Sequence, residues 1–211
     1  MTGVAEIERP QARLGILLSG RGSNFLAIAD AVLQKKINAK IAIVISNVPD
    51  AYGIQRAAAL EFPTAIFPSK GRKRAEHDAE VAACLRDYEV DLVCLAGYMR
   101  LLSPDFVTAF PNRILNIHPS LLPAFPGLEA QRQAFEYGVK IAGCTVHFVD
   151  EHLDHGAIVL QRAIPVLEHD NAHSLAERIL AEEHLAYPEA IERVIDGRYD
   201  LVGRRFVPRH R

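Results

Sequence analysis

Four short apolar runs, each closed by a loop that no strand can continue, set the terms on which this chain can fold. They fall at residues 14–18, 40–46, 91–95 and 113–117, with helically spaced stretches between them. Each run has the length of one buried strand and is apolar on both of its faces. Strands of that kind, separated by helices, belong to a parallel sheet covered on both sides. Ligands of such sheets bind at the carboxyl ends of the strands, beside a switch in strand order. The loops after the runs are therefore where chemistry is expected.

The first run leads into the tight loop Ser19-Gly20-Arg21-Gly22-Ser23-Asn24. A helix follows at 25–36, with Phe25, Ile28, Ala29, Val32 and Leu33 on one face. After the second run come a helix at 52–60, a short strand at 64–67 and a polar-faced helix at 73–87. The third run ends in Ala96-Gly97-Tyr98-Met99-Arg100. Ser103-Pro104-Asp105 then starts a short helix ending near Pro111, with a cap, a first-turn proline and a carboxylate. Beyond Gly127 the pattern changes. A helix at 129–137 stops at Gly138, and runs at 141–149 and 157–164 read as an antiparallel pair. A helix at 171–186 is expected to kink or break at Pro188, with a last helical piece to Asp196. The expected fold is α/β: a mostly parallel, doubly wound sheet with a C-terminal antiparallel extension and a final long helix. Residues 1–12 read as an N-terminal extension, 13–197 as a single domain, and 198–211 as a basic surface tail.

A chain of 211 residues suffices for one domain with a sizeable core. A formal net charge of -2 gives no reason to expect nucleic-acid or membrane binding, so small-molecule substrates are expected. Arg72-Lys73-Arg74 is compatible with a small anion. Cys84, Cys94 and Cys144 are scattered and odd in number, which argues against a disulfide framework and for a reducing cytoplasm. No apolar run resembles a signal segment or a membrane span.

The polar residues at the strand ends each carry two readings. Asn116 and His118, two apart in Ile114-Leu115-Asn116-Ile117-His118-Pro119-Ser120, share one face of their strand. They can make ordinary strand-end hydrogen bonds or serve a site. Asp154, near His152 and His155, can form a turn, or can orient His118 and favour its imidazolium. The 20–24 loop can cradle an anion at a helix start or simply turn the chain. It lacks the Lys-Ser/Thr of an ATP loop, and Phe25 stands where the dinucleotide fingerprint has its last glycine. That argues against ATP and NAD and leaves a single phosphate open. Glu183 can hold sugar hydroxyls or face solvent, and Arg74 can meet an anion or water. Met99 and Arg100 suit the wall and rim of a cleft. His147, His152 and His155, or His169 and His173, match no established ligand pattern, so no metal is expected and these histidines read as solvated.

Four blocks in order give the chain a resemblance over about 14–196 to the phosphoribosylglycinamide formyltransferase family. They are Ser-Gly-x-Gly-Ser-Asn at 19–24, Leu-Ala-Gly-Tyr-Met-Arg at 95–100, Asn-Ile-His-Pro-Ser-Leu-Leu-Pro at 116–123, and the 147–156 segment His-Phe-Val through Leu-Asp-x-Gly. The resemblance implies a Rossmann-like formyltransferase fold. It also implies formyl transfer from 10-formyltetrahydrofolate, the co-substrate, to the amino group of glycinamide ribonucleotide in purine biosynthesis. Asn116, His118 and Asp154 would be catalytic. Gly22, Ser23 and Asn24 would bind the ribonucleotide phosphate and Glu183 its ribose. Arg74, Met99, Arg100, Leu101, Leu102, Asn116, Glu151, His152, Leu153, Asp154 and His155 would line the folate site. Asn116 and a protonated His118 would donate to the formyl oxygen, and Asp154 would relay the amine proton through water. A homodimer is compatible with this reading.

The chain departs from the family pattern at His155, where some relatives have Gly, and at Leu180, where some have a polar residue. The same trio serves formyltetrahydrofolate deformylases, which usually carry an N-terminal regulatory domain. It also serves methionyl-tRNA formyltransferases, which usually add a basic C-terminal domain. A non-catalytic folate or nucleotide binder would bind the donor without consuming it.

Overall fold

The computed structural model describes residues 10–209. Residues 1–9, most of the expected extension, lie outside the described residues. Five parallel strands come first: β1 (Ala12–Leu18), β2 (Ala39–Ser46), β3 (Thr64–Ile66), β4 (Leu92–Leu95) and β5 (Ile114–His118). Then come β6 (Ile141–Phe148) and β7 (Ile158–Pro165), antiparallel to their predecessors. The helices are α1 (Ser23–Leu33), α2 (Tyr52–Ala59), α3 (Arg74–Asp87), α4 (Pro104–Ala109), α5 (Ala130–Tyr137) and α6 (Ala172–Ile195).

Two cores form because the strands are apolar on both faces. Leu14, Ile16 and Leu18 of β1 pack with Phe25 and Ile28 of α1 and with Ile179 and Ala190 of α6. Leu17 points the other way, to Val81 and Leu85 of α3 and Phe106 of α4. Each such side chain, taken fully out of water, contributes roughly 1.5–3 kcal/mol. Ser103 caps α4 as its sequence predicts, its hydroxyl accepting from the Phe106 N–H at 3.3 Å.

The strand order β3-β2-β1-β4-β5 places the switch between β1 and β4. Their following loops are stitched together there. The Ser19 N–H donates to Gly97 O at 3.0 Å, and the Ser19 hydroxyl accepts from the Met99 N–H at 2.8 Å while donating to Asn47 Oδ1 at 2.6 Å.

Two expectations need correction. Pro188 does not break α6, which runs through it for 24 residues. A proline in a helix interior costs about 3 kcal/mol. Here buried neighbours hold the helix on both sides of it: Ala186, Tyr187, Ala190 and Ile191. The Tyr187 hydroxyl also bonds the carbonyls of Leu95 (3.1 Å) and Leu115 (2.9 Å), tying α6 to the ends of β4 and β5. The C-terminal segment, expected as a basic surface tail, carries regular structure. It forms a hairpin, β8 (Tyr199–Val202) and β9 (Arg205–Pro208), and β9 joins the sheet beside β7 at Ile158 and Arg205. Phe206 anchors it, 5.8 Å from the Phe148 ring and stacked 4.9 Å from Tyr199. Among the described residues no helix is long and apolar enough to cross a membrane.

Candidate active site

Asn116 and His118 end β5 on the face that the period of two predicts. The antiparallel register of β5 and β6 sets Asn116 opposite His147. The His147 Nδ1 lies 2.8 Å from Phe148 O, so this nitrogen carries the hydrogen and Nε2 is left as an acceptor. Asn116 Nδ2 donates to that Nε2 at 3.2 Å. Burial pushes the His147 pKa down, with the Phe148 carbonyl and nearby carboxylates opposing, which agrees with a neutral ring. One amide hydrogen of Asn116 is thus committed to His147, and the amide orientation is fixed by it. The second hydrogen remains for a ligand. The sequence pattern leaves His147 as a solvated histidine, whereas the fold buries it beside Asn116.

Asp154 approaches from the loop after β6. Its backbone is left-handed, φ 48°, a conformation that Asp tolerates better than most residues. The Asp154 Oδ2 accepts from the Gly127 N–H at 2.8 Å and lies 3.4 Å from His118 Nδ1. Its Oδ1 is 3.8 Å from His147 Nε2. The structure therefore gathers Asn116, His118 and Asp154, and adds His147 as their common neighbour.

His118 differs from its expected role in one respect. Its Nε2 donates to the Phe125 carbonyl at 2.8 Å while Nδ1 faces Asp154, so both ring nitrogens are engaged. The Ser120 hydroxyl lies 2.5 Å from the Ala124 carbonyl and 3.3 Å from that of Phe125, and gives its one hydrogen to Ala124.

Gly22 precedes α1 with φ 74°. A Cβ there would come within 2.6 Å of Gly53 Cα, so glycine is needed for packing as well as for the turn. No side chain caps α1, which leaves its first-turn N–H groups without a side-chain acceptor. Asn24 is buried, and its Nδ2 donates to Glu183 Oε2 at 2.7 Å across 159 residues of sequence. Asn24 Oδ1 has no hydrogen-bond partner among the described residues. A buried acceptor without a donor suits a ligand that brings hydroxyl groups. Glu183 does not face solvent; it is 6% exposed.

Burial raises the Glu183 pKa, and the Asn24 hydrogen bond only partly opposes this. A carboxyl raised above its unfolded value of 4.5 stabilises the fold most below that pH, and the stability is lost as pH rises through the folded pKa. Glu183→Gln keeps an acceptor for Asn24 and removes the titration. The variant should melt on the order of a few degrees above wild type at neutral pH, with the two curves converging toward pH 4.5. Thermal melts across that range test this. A constant difference at every pH would contradict it.

Most of the remaining expected residues lie at the surface. Met99 is 74%, Leu101 53% and Leu153 57% exposed, an apolar edge beside polar strand ends. Leu102 is half-buried against the α3–α4 core. Arg100 Nε sits 3.9 Å from the buried Asp78 Oδ1. Arg74 opens α3 and is exposed, as are Glu151, His152 and His155. One ligand atom each of Asp150, His152 and His155 fall within 4.8 Å of one another. Arg204 of the hairpin occupies the approach, its Nη1 2.9 and 2.7 Å from the two His155 ring nitrogens.

The family model described as formyl transferase matches residues 12–191. Phosphoribosylglycinamide formyltransferase of Bacillus subtilis is 42% identical over 184 residues, covering 87% of this chain and 94% of that protein. The trifunctional purine biosynthetic protein adenosine-3 of Drosophila melanogaster is 45% identical over 194 residues, 90% of this chain. This chain spans only 14% of that longer protein. The crystal structure of glycinamide ribonucleotide transformylase 1 from Symbiobacterium toebii superposes with a TM-score of 0.91, at 54% identity and 95% coverage of both chains.

Proposed function

The chain belongs to the formyl transferase family, among the phosphoribosylglycinamide formyltransferases, and from that premise we propose that it formylates glycinamide ribonucleotide. The donor would be 10-formyltetrahydrofolate, which supplies an activated one-carbon unit. The observation that carries this reading is the cluster of polar side chains at the end of β5. There one uncommitted amide hydrogen of Asn116 lies beside a carboxylate, Asp154, that faces His118.

Each group has a share in the transfer. As the substrate amine bonds to the formyl carbon, negative charge grows on the formyl oxygen. Asn116 donates its second amide hydrogen to that oxygen from a fixed position. His118 exchanges the Phe125 carbonyl for the same oxygen. The amine must lose a proton and the folate nitrogen must gain one as the C–N bond to folate breaks. Asp154 takes that proton through a water and returns it to the departing nitrogen. The open N–H groups at the start of α1 receive the phosphate, and Asn24 with Glu183 meet the ribose hydroxyls. The exposed apolar rim at Met99, Leu101 and Leu153 covers the pterin and its ring substituents.

The assay is absorbance-monitored consumption of 10-formyltetrahydrofolate with and without glycinamide ribonucleotide. Consumption that requires the ribonucleotide is expected. Equal consumption without it would replace this reading with deformylase chemistry on the same trio.

A further inference from the structure

His155 sits in the loop after β6, and the C-terminal hairpin presents Arg204 to it. We propose that Arg204 is a positioning residue: it clasps the 150–156 loop through His155 and so holds that loop in its folate-binding shape. The proposal rests on the formyl-transfer reading for its kinetic consequence.

The clasp is a chain of contacts. His155 Nδ1 is 2.9 Å from Asp150 Oδ2, and a carboxylate can only accept, so Nδ1 carries the hydrogen. Arg204 Nη1 lies 2.7 Å from Nε2 and 2.9 Å from Nδ1, which places it against the His155 ring and not along either nitrogen's lone pair. The Arg204 Nη2 donates to the His155 backbone carbonyl, gripping the main chain as well as the ring. On the other side, Asp150 Oδ1 accepts from the His152 N–H at 2.9 Å. One guanidinium thus fixes His155, His155 fixes Asp150, and Asp150 fixes the turn at His152. The next residues in the loop are Leu153, on the exposed rim, and Asp154, whose carboxylate meets His118.

The anchor behind Arg204 is firm. Its neighbour Arg205 sits in β9, paired with Ile158 of β7, and Phe206 packs against Phe148 at the root of the same loop. The hairpin and the loop therefore share one edge of the sheet. Gly156 closes the loop with no room for a side chain, since a Cβ there would lie 1.8 Å from Phe148 O. The loop is pinned at its end by that packing and at its middle by Arg204. Between the pins it carries no buried apolar side chain. Without Arg204 the loop should sample other shapes, and the donor would bind only the fraction that remains competent.

The test compares wild type with Arg204→Ala, Arg204→Lys and His155→Ala in the full chain. Donor concentration is varied at saturating ribonucleotide. Arg204→Ala and His155→Ala should each raise the KM for 10-formyltetrahydrofolate roughly three- to tenfold, with kcat within about twofold. The double variant should show no larger rise than either single one, because the two residues act as one link. Arg204→Lys, which can reach the ring or the carbonyl but not both, should fall between. The second readout needs no substrate: hydrogen–deuterium exchange of the 151–156 amides should quicken in Arg204→Ala while the β5 and β6 amides stay as in wild type. An unchanged donor KM together with unchanged loop exchange overturns the clasp. If wild type turns over no donor, the functional reading fails, and loop exchange alone still decides on Arg204.

Discussion

Asp154→Asn should lower kcat by roughly 10²–10⁴, the range that general acid–base groups supply, with the fold unchanged. The substitution is almost isosteric. Asn, like Asp, tolerates the left-handed backbone that residue 154 adopts at φ 48°. Its carbonyl can still accept the Gly127 N–H that now meets the carboxylate at 2.8 Å. What disappears is the charge opposite His118 and, with it, the carboxylate proposed to take a proton from the amine. The defect should therefore appear in kcat and not in the melting temperature. Single-turnover rates with preformed complex would separate chemistry from binding. A variant within tenfold of wild type in that step would remove Asp154 from proton transfer.

The fold was largely legible because its strands are continuous apolar runs. A parallel sheet buried on both faces leaves few other readings of the segments at 14–18, 91–95 and 113–117. The pairing of Asn116 with His118 was legible for a simpler reason: two residues apart on a strand is one face. His147 was hidden because its partner depends on register. Nothing local says that β6 aligns His147 with Asn116, and β6 returns only after the long connection through α5. Asn24 and Glu183 were assigned separately, to phosphate and ribose, while the fold joins them directly across 159 residues. The hairpin at the C-terminus had a local signal that its charge obscured. Tyr199 and Leu201 alternate before Gly203, and Phe206 follows it, as in two short strands around a glycine turn. Pro188 misled because helix propensity was weighed without the packing on either side of it.

Asn116→Ala carries the other large effect, an expected loss of roughly 10²–10³ in kcat, the usual consequence of deleting one donor to a developing oxyanion. Its interpretation depends on His147. The ring holds one Asn116 hydrogen at 3.2 Å and so aims the other. His147 is itself held by Phe148 O at 2.8 Å and lies 3.8 Å from Asp154. If that aim is what His147 contributes, His147→Ala should cost less than Asn116→Ala, because a misdirected donor still donates part of the time. In the Asn116→Ala background the same change should cost almost nothing in kcat. Additive losses would mean that His147 acts on the substrate or on Asp154 independently. The cycle is informative only if the single variants fold, and His147 is buried. His147→Gln is therefore the companion: its side-chain oxygen can accept from Asn116 without a ring, and it should recover much of the activity that alanine loses. Failure of glutamine to rescue, with a normal melt, would assign His147 a role beyond aiming Asn116.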